Sequence, residues 1–158
     1  MQVNISKTKV VVFSNKRKHN QHEFYFEGNI LEEVADYKYN EIDFNIKLSW
    51  EGCRKKRTMG GWEAFYALQI RGREAELWDW KTTLTLFGLL VIPMILYSCE
   101  LWASSTTKMQ WKQIEKIQKR LITNKFRIKS AVPYAILLNE TRVAPIEAID
   151  MAQVIKYL

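Results

Sequence analysis

Residues 84–99, Leu-Thr-Leu-Phe-Gly-Leu-Leu-Val-Ile-Pro-Met-Ile-Leu-Tyr-Ser-Cys, constrain the fold more than any other stretch of this chain. The run carries no charge over 16 residues, whereas a helix needs about 20 apolar residues to span a bilayer. Pro93 interrupts it, removing a backbone donor and crowding the preceding turn. Lys81 and Glu100 bracket it closely. The run predicts a buried helix over 82–103, bent at Pro93, packed inside protein and not spanning a membrane. Six tryptophans suggest several such packed helices, each with a large anchor.

The remaining segments sort by period. Residues 9–14 are a β-branched run that predicts a strand. Glu23–Phe26 and Ile30–Val34 flank Glu27-Gly28-Asn29, a turn signal that predicts a hairpin. Tyr37 to Phe44 alternates large and polar residues, as a half-buried strand does. From residue 51 the period becomes helical. Met59, Trp62, Phe65, Tyr66 and Leu68 are expected along one side of a helix over 51–71, where Gly60-Gly61 marks a bend or a close helix contact. Residues 107–124 form the clearest amphipathic pattern, with Trp111, Ile114, Ile117, Leu121 and Ile122 on one face. Pro133 opens a short segment through Leu138, and Pro145 opens a final helix with Ile146, Ile149, Val154 and Ile155 as its stripe. Strands first and helices after predict an α+β fold: a small antiparallel hairpin region over 1–46 and a mostly helical bundle over 47–158.

The net charge of +7 is concentrated. Residues 108–129 hold eight Lys/Arg and one Glu, a balance of +7, while residues 1–107 balance at +1 and residues 130–158 at −1. A patch of this density attracts phosphate by local field and counterion release. Lys112, Lys116, Lys119 and Arg120 fall mostly opposite the apolar face. The run Arg54-Lys55-Lys56-Arg57 is a second candidate patch. Cys53 and Cys99 lack the number for a disulfide framework and the spacing of a zinc site, and nothing resembles a signal peptide, so reduced cysteines in an intracellular protein are expected. His19 and His22 sit with Lys16, Arg17 and Lys18 in a polar loop that offers no metal set.

Several of these segments, in order, resemble the reverse transcriptase of LINE-type non-LTR retrotransposons, in the part that follows the catalytic aspartates. Asn4-Ile5-Ser6-Lys7-Thr8-Lys9 running into Val10-Val11-Val12-Phe13 is similar to the fourth palm motif. Phe24-Tyr25-Phe26-Glu27-Gly28 with Tyr37-Lys38-Tyr39 is similar to the hairpin region that includes the primer grip. Leu86-Phe87, Leu90 to Tyr97 and Glu100-Leu101-Trp102 resemble a downstream helix of these polymerases, and Trp111 to Arg120 the helix after it. Pro145-Ile146-Glu147 and Ile155-Lys156-Tyr157-Leu158 match further family patterns.

The resemblance implies the end of a palm over 1–46 and a thumb-like subdomain over 47–158 that clamps an RNA/DNA primer–template duplex. In the intact family two palm aspartates hold Mg2+ ions that align the primer hydroxyl with the incoming nucleotide. Lys7 matches the lysine that assists departure of pyrophosphate, a candidate proton donor only with a palm supplied elsewhere. Lys9, Tyr37, Lys38 and Tyr39 would contact primer, rings on sugars and bases and lysines on phosphate. Arg54, Lys55, Lys56, Arg57, Lys112, Lys116, Lys119 and Arg120 would meet the duplex backbone without reading sequence. Seven acids and one lysine in residues 23–43 leave only a minority of that surface able to face phosphate.

The chain departs from the pattern in three places. Asn40-Glu41 stands where the family usually has Leu-Gly, and Ser98 where a glycine commonly follows the tyrosine. The 158 residues contain no Tyr-x-Asp-Asp. Together with the abrupt opening at Asn4–Phe13, this leads to the expectation of a fragment that does not polymerise DNA alone, holds no cofactor or metal of its own, and binds duplex non-specifically. The competing expectation is a helical protein-interaction module, partnered by the missing palm half or another protein, or a non-functional relic without nucleic-acid binding.

Overall fold

The computed structural model describes residues 4–14, 22–76, 79–129 and 131–155. The fold is α+β: five strands in small sheets near the N-terminus are followed by helices. Two compact units divide at Cys53–Arg54, within the first turn of a helix. Lys16 to His19, Trp78 and Lys156 to Leu158 lie outside the described residues.

In the first unit a 3-10 turn, Ile5–Lys7, leads into β1 (Lys9–Val10). β2 (Phe24–Phe26) and β3 (Asn29–Glu33) form the expected hairpin, turning at Glu27 and Gly28, both at positive φ. β1 pairs with β3 in parallel, Lys9 opposite Glu32, so β3 is the central strand of three. The β-branched run is strand only over its first two residues; beyond them Ser14 N–H donates to Ile46 O at 2.9 Å.

Residues 37–44 are not one strand. They fold into a second hairpin, β4 (Asp36–Tyr39) against β5 (Ile42–Asn45), turning at Asn40 and Glu41 with φ of +47° and +63°. Two positive φ values in a two-residue connection give the turn that matches strand twist. Tyr37 opposes Phe44 and Tyr39 opposes Ile42, so all four side chains share one face. Ile42 is buried and Phe44 meets Trp50 edge-on at 5.7 Å, while both tyrosines are exposed.

The second unit is a helical bundle. α1 spans Glu51–Glu74 without a break at its glycines. A Cβ on Gly61 would lie 2.4 Å from Ile95 Cγ1 and 3.1 Å from Ile117 Cδ1, so this glycine is where α1 closes onto two other helices. The buried face of α1 therefore runs through Gly61, Phe65 and Leu68, with Trp62 half-buried. Met59 and Tyr66, expected on that face, turn outward and are more than half exposed.

The apolar run folds as α2 (Trp80–Leu86), a wider π turn (Phe87–Val91) and α3 (Ile92–Ile95). The Ile92 N–H donates to Phe87 O, five residues back, just before Pro93. Widening the turn there clears the proline ring from the preceding carbonyls. The bend, 53°, comes after Pro93, between Trp80–Ile95 and Cys99–Ser105, and Ser98 sits in it with φ +56°. α4 (Cys99–Trp102) follows, its Trp102 fully buried with Nε1–H donating to Tyr97 O at 3.1 Å. Among the described residues no single helix is long and apolar enough to cross a membrane.

α5 (Lys108–Phe126) folds as its sequence predicts. Thr107 and Gln110 form a reciprocal capping box at its start, and Arg127, with φ +52°, closes its end while Ile128 N–H returns to Thr123 O at 3.0 Å. Trp111, Ile114, Ile117, Leu121 and Ile122 are all buried. Gln118, also buried, donates to Ala144 O at 2.9 Å and accepts from the Tyr134 hydroxyl, tying α5 to α6 (Tyr134–Thr141) and the loop before α7 (Ile146–Ile155). On α7 Ile146 is fully buried, Ile149 half-buried and Ile155 exposed.

Gly61→Ala is expected to destabilise the helical unit by about 1–3 kcal/mol through overpacking against Ile95 and Ile117. Gly60→Ala, whose Cβ would meet only Met94 Cε at 3.5 Å, is expected to be neutral or stabilising by up to about 1 kcal/mol. Urea unfolding of the two variants separates them; equal behaviour would contradict the close contact.

Candidate nucleic-acid interface

The burial of one α5 face dictates what the other presents. Lys108, Lys112, Lys116 and Arg120 recur every fourth residue and are exposed; Lys119 is half-buried beside them. Four residues of helix rise about 6 Å, so these cations form a stripe about 18 Å long from first to last Cα. Lys116 Nζ donates to Gln113 Oε1 at 2.6 Å, and among the described residues none of the four cations lies in an ion pair with a carboxylate.

The single acid of segment 108–129, Glu115, lies half-buried at the edge of this stripe, three residues from Lys112. Burial and the neighbouring Glu147 push its carboxyl above the usual range, opposed by Lys112. Further acidic groups lie in the interior of the unit. Burial, with Glu100 and Glu147, pushes the Asp150 carboxyl up, and burial with Asp150 pushes the Cys99 thiol up to about 12. Of these carboxylates Asp150 is buried and Glu115 half-buried, whereas Lys108, Lys112, Lys116 and Arg120 are exposed.

The stripe leads into a cleft. Arg120, Asn124, Lys125 and Arg127 at the end of α5, Leu68, Gln69, Gly72 and Arg73 of α1, and Thr83 and Leu86 of α2 line a cavity of about 560 Å³. Lys125 Nζ donates to the buried Thr83 hydroxyl at 3.1 Å, which itself donates to Asp79 O at 2.7 Å. The Asp79 carboxylate caps α2 by accepting from Thr82 N–H at 2.7 Å; that bond, with help from Lys125 and Lys81, holds its pKa down. Arg73, Lys125 and Arg127 escaped the sequence reading. The charge density of 108–129 was a signal for the last two, but nothing local links Arg73 to them.

The other predicted residues are distributed less favourably. Arg54, Lys55, Lys56 and Arg57 occupy successive positions in the first turns of α1 and fan around it at 100° steps. Arg54 is buried and Arg57 lies 4.3 Å over the Tyr97 ring, leaving Lys55 and Lys56 outward. In the β4–β5 hairpin Tyr37 and Tyr39 point to one face and Lys38 to the other, opposite Asp43. Lys38 Nζ is 2.9 Å from Glu41, so the lysine is neutralised by acids, away from the two rings. Lys9 pairs with Glu32 across β1 and β3. Lys7 closes the 3-10 turn and is exposed. His22 is also exposed. Among the described residues no cluster of three or more His, Cys, Asp or Glu is placed to hold a metal.

No family model matches this chain, and no curated protein or solved structure is significantly similar to it.

Glu41 and Ser98, the positions at which the reverse-transcriptase pattern has glycine, both have left-handed backbone, φ +63° and +56°. A side chain there costs about 1–2 kcal/mol, partly offset by the higher chain entropy that glycine would bring to the unfolded state. Glu41→Gly and Ser98→Gly are each expected to stabilise by about 0.5–1 kcal/mol in chemical denaturation. A loss of stability in either variant would show that its backbone is not held in this conformation.

Proposed function

We propose that the helical unit binds nucleic-acid duplex through phosphate, without sequence readout, as a thumb-like part of a reverse transcriptase related to those of LINE-type elements. The observation that carries this reading is the division of α5: Trp111, Ile114, Ile117, Leu121 and Ile122 are buried, Lys108, Lys112, Lys116 and Arg120 are exposed along one stripe, and the one carboxylate, Glu115, is half-buried at its edge. A thumb needs cations aimed at backbone phosphates from a helix fixed by its own bundle, and no base-reading groups. The ordered resemblance supports the family, as does the left-handed backbone at Glu41 and Ser98, where the family places glycine. In this reading the β4–β5 hairpin offers Tyr37 and Tyr39 as rings for sugar or base and contributes little charge. Lys7 retains the position of a proton donor. The polymerase chemistry itself would belong to Mg2+-binding carboxylates of a Tyr-x-Asp-Asp motif, which these 158 residues do not contain.

A second reading has its own observation. Leu89, Leu90, Met94 and Leu101, along the apolar run, are 41–66% exposed. Such a face suits another protein surface and favours a helical interaction module.

The two readings separate by salt. With an RNA–DNA hybrid, the logarithm of the association constant should fall linearly with that of salt concentration, with a slope of about −3 to −4 for four phosphate contacts. Replacing Lys108, Lys112 and Lys116 with Gln should reduce the magnitude of the slope by about 2–3 and leave stability unchanged, since all three are exposed. Undetectable binding of the parent chain at low salt, or an unaltered slope in the variant, would remove the proposal.

A further inference from the structure

We infer that the cleft at the end of α5 is a pocket for a phosphorylated ligand of nucleotide size. The inference goes beyond duplex binding, because a cleft can take a single phosphate monoester whether or not the α5 stripe meets a duplex.

The argument starts from charge. Arg73 comes from the end of α1, and Arg120, Lys125 and Arg127 from the end of α5. No carboxylate lines the cleft. The nearby Asp79 already caps α2 through Thr82 N–H, and among the described residues none of the four cations lies in an ion pair with an acid. Four like charges gathered round one cavity repel, and an anion entering it relieves that repulsion. Three are guanidinium groups, whose paired N–H donors match phosphate oxygens, and guanidinium is more weakly hydrated than ammonium.

The cleft also has a direction. The half-buried Lys125 is anchored on the buried Thr83 hydroxyl, while Arg73, Arg120 and Arg127 are exposed. Leu68 and Leu86 supply apolar wall, Gly72 leaves it open, and Gln69 and Asn124 add amide donors and acceptors. A volume of about 560 Å³ lies within the 300–1,000 Å³ common for small-ligand pockets and exceeds the need of phosphate alone. Phosphate among the arginines, with a sugar and ring against the leucines, uses every part of the lining. Two sources share this chemistry: a free nucleotide and the phosphorylated end of a nucleic-acid strand.

Calorimetric titration of the whole chain with adenosine monophosphate, adenosine and inorganic phosphate tests the pocket. The monophosphate should bind, phosphate more weakly, and adenosine not measurably. The variant carrying Arg73→Gln and Arg127→Asn should lose at least about tenfold in affinity, since a charge-assisted contact contributes more than 1.4 kcal/mol. Asn is chosen at 127 because it tolerates the left-handed backbone there. The stripe variant with Lys112→Gln and Lys116→Gln should keep full affinity for the monophosphate, which separates this inference from the duplex reading. A rise in the melting temperature of the parent chain with the monophosphate gives a second readout. If a 5′-phosphorylated oligonucleotide outcompetes its 5′-hydroxyl counterpart, the source is a strand end; if the two compete equally while the monophosphate still binds, it is a free nucleotide, and both results support the pocket. No binding of the monophosphate to the parent chain, or equal loss in the cleft and stripe variants, would overturn it.

Discussion

The close approach at Gly61 is the contact on which the helical unit depends. With no side chain there, Ile95 of α3 and Ile117 of α5 reach the backbone of α1, and three helices meet at one point. That contact fixes the rotation of α5 about its axis, since Ile117 must face α1. Once Ile117 is inward, the period of the helix sends Ile114, Leu121 and Ile122 in with it, and Lys108, Lys112, Lys116 and Arg120 out. The cationic stripe is the far side of a packing decision. The same closure brings Leu68, Gly72 and Arg73 of α1 beside the end of α5 and makes the cleft.

Electrostatics then follow from burial. Desolvation and neighbouring acids raise the pKa of the half-buried Glu115 and the buried Asp150, while the exposed Asp79 near Lys125 is held down. Keeping the two raised carboxyls there costs stability near neutral pH. The β4–β5 hairpin shows the reverse arrangement, with Lys38 set against Asp43 and Glu41. Positive charge is therefore densest on one helix and its end, in keeping with the uneven charge along the chain.

How much of this was legible in the sequence depended on whether the signal was local. α5 was, because its apolar residues keep one period, although its left-handed close at Arg127 has no glycine to mark it and the helix runs past residue 124 to Phe126. The β2–β3 hairpin was, because glycine marks its turn. The β4–β5 hairpin was not, because its turn residues are Asn40 and Glu41; the surviving clue is a phase slip, with large residues at 37 and 39 and then at 42 and 44. A single strand would have put those pairs on opposite faces. On α1 aromatic residues occur on both sides, so period alone could not tell that Gly61 and not Met59 marks the contact. Pro93 pointed to a bend, yet the π turn absorbs the ring and the chain bends at Ser98. The cleft was invisible, because Arg73 and Arg127 meet only through tertiary packing.

The central claim is that the outer face of α5 is where this protein meets phosphate. Amide chemical-shift mapping of the labelled chain, titrated with an RNA–DNA hybrid at low salt, tests it most directly. The account predicts that the largest changes fall on Lys108, Lys112, Lys116 and Arg120 and fade as salt is raised. Changes centred on the β4–β5 hairpin or on Lys55 and Lys56, or changes indifferent to salt, would contradict it.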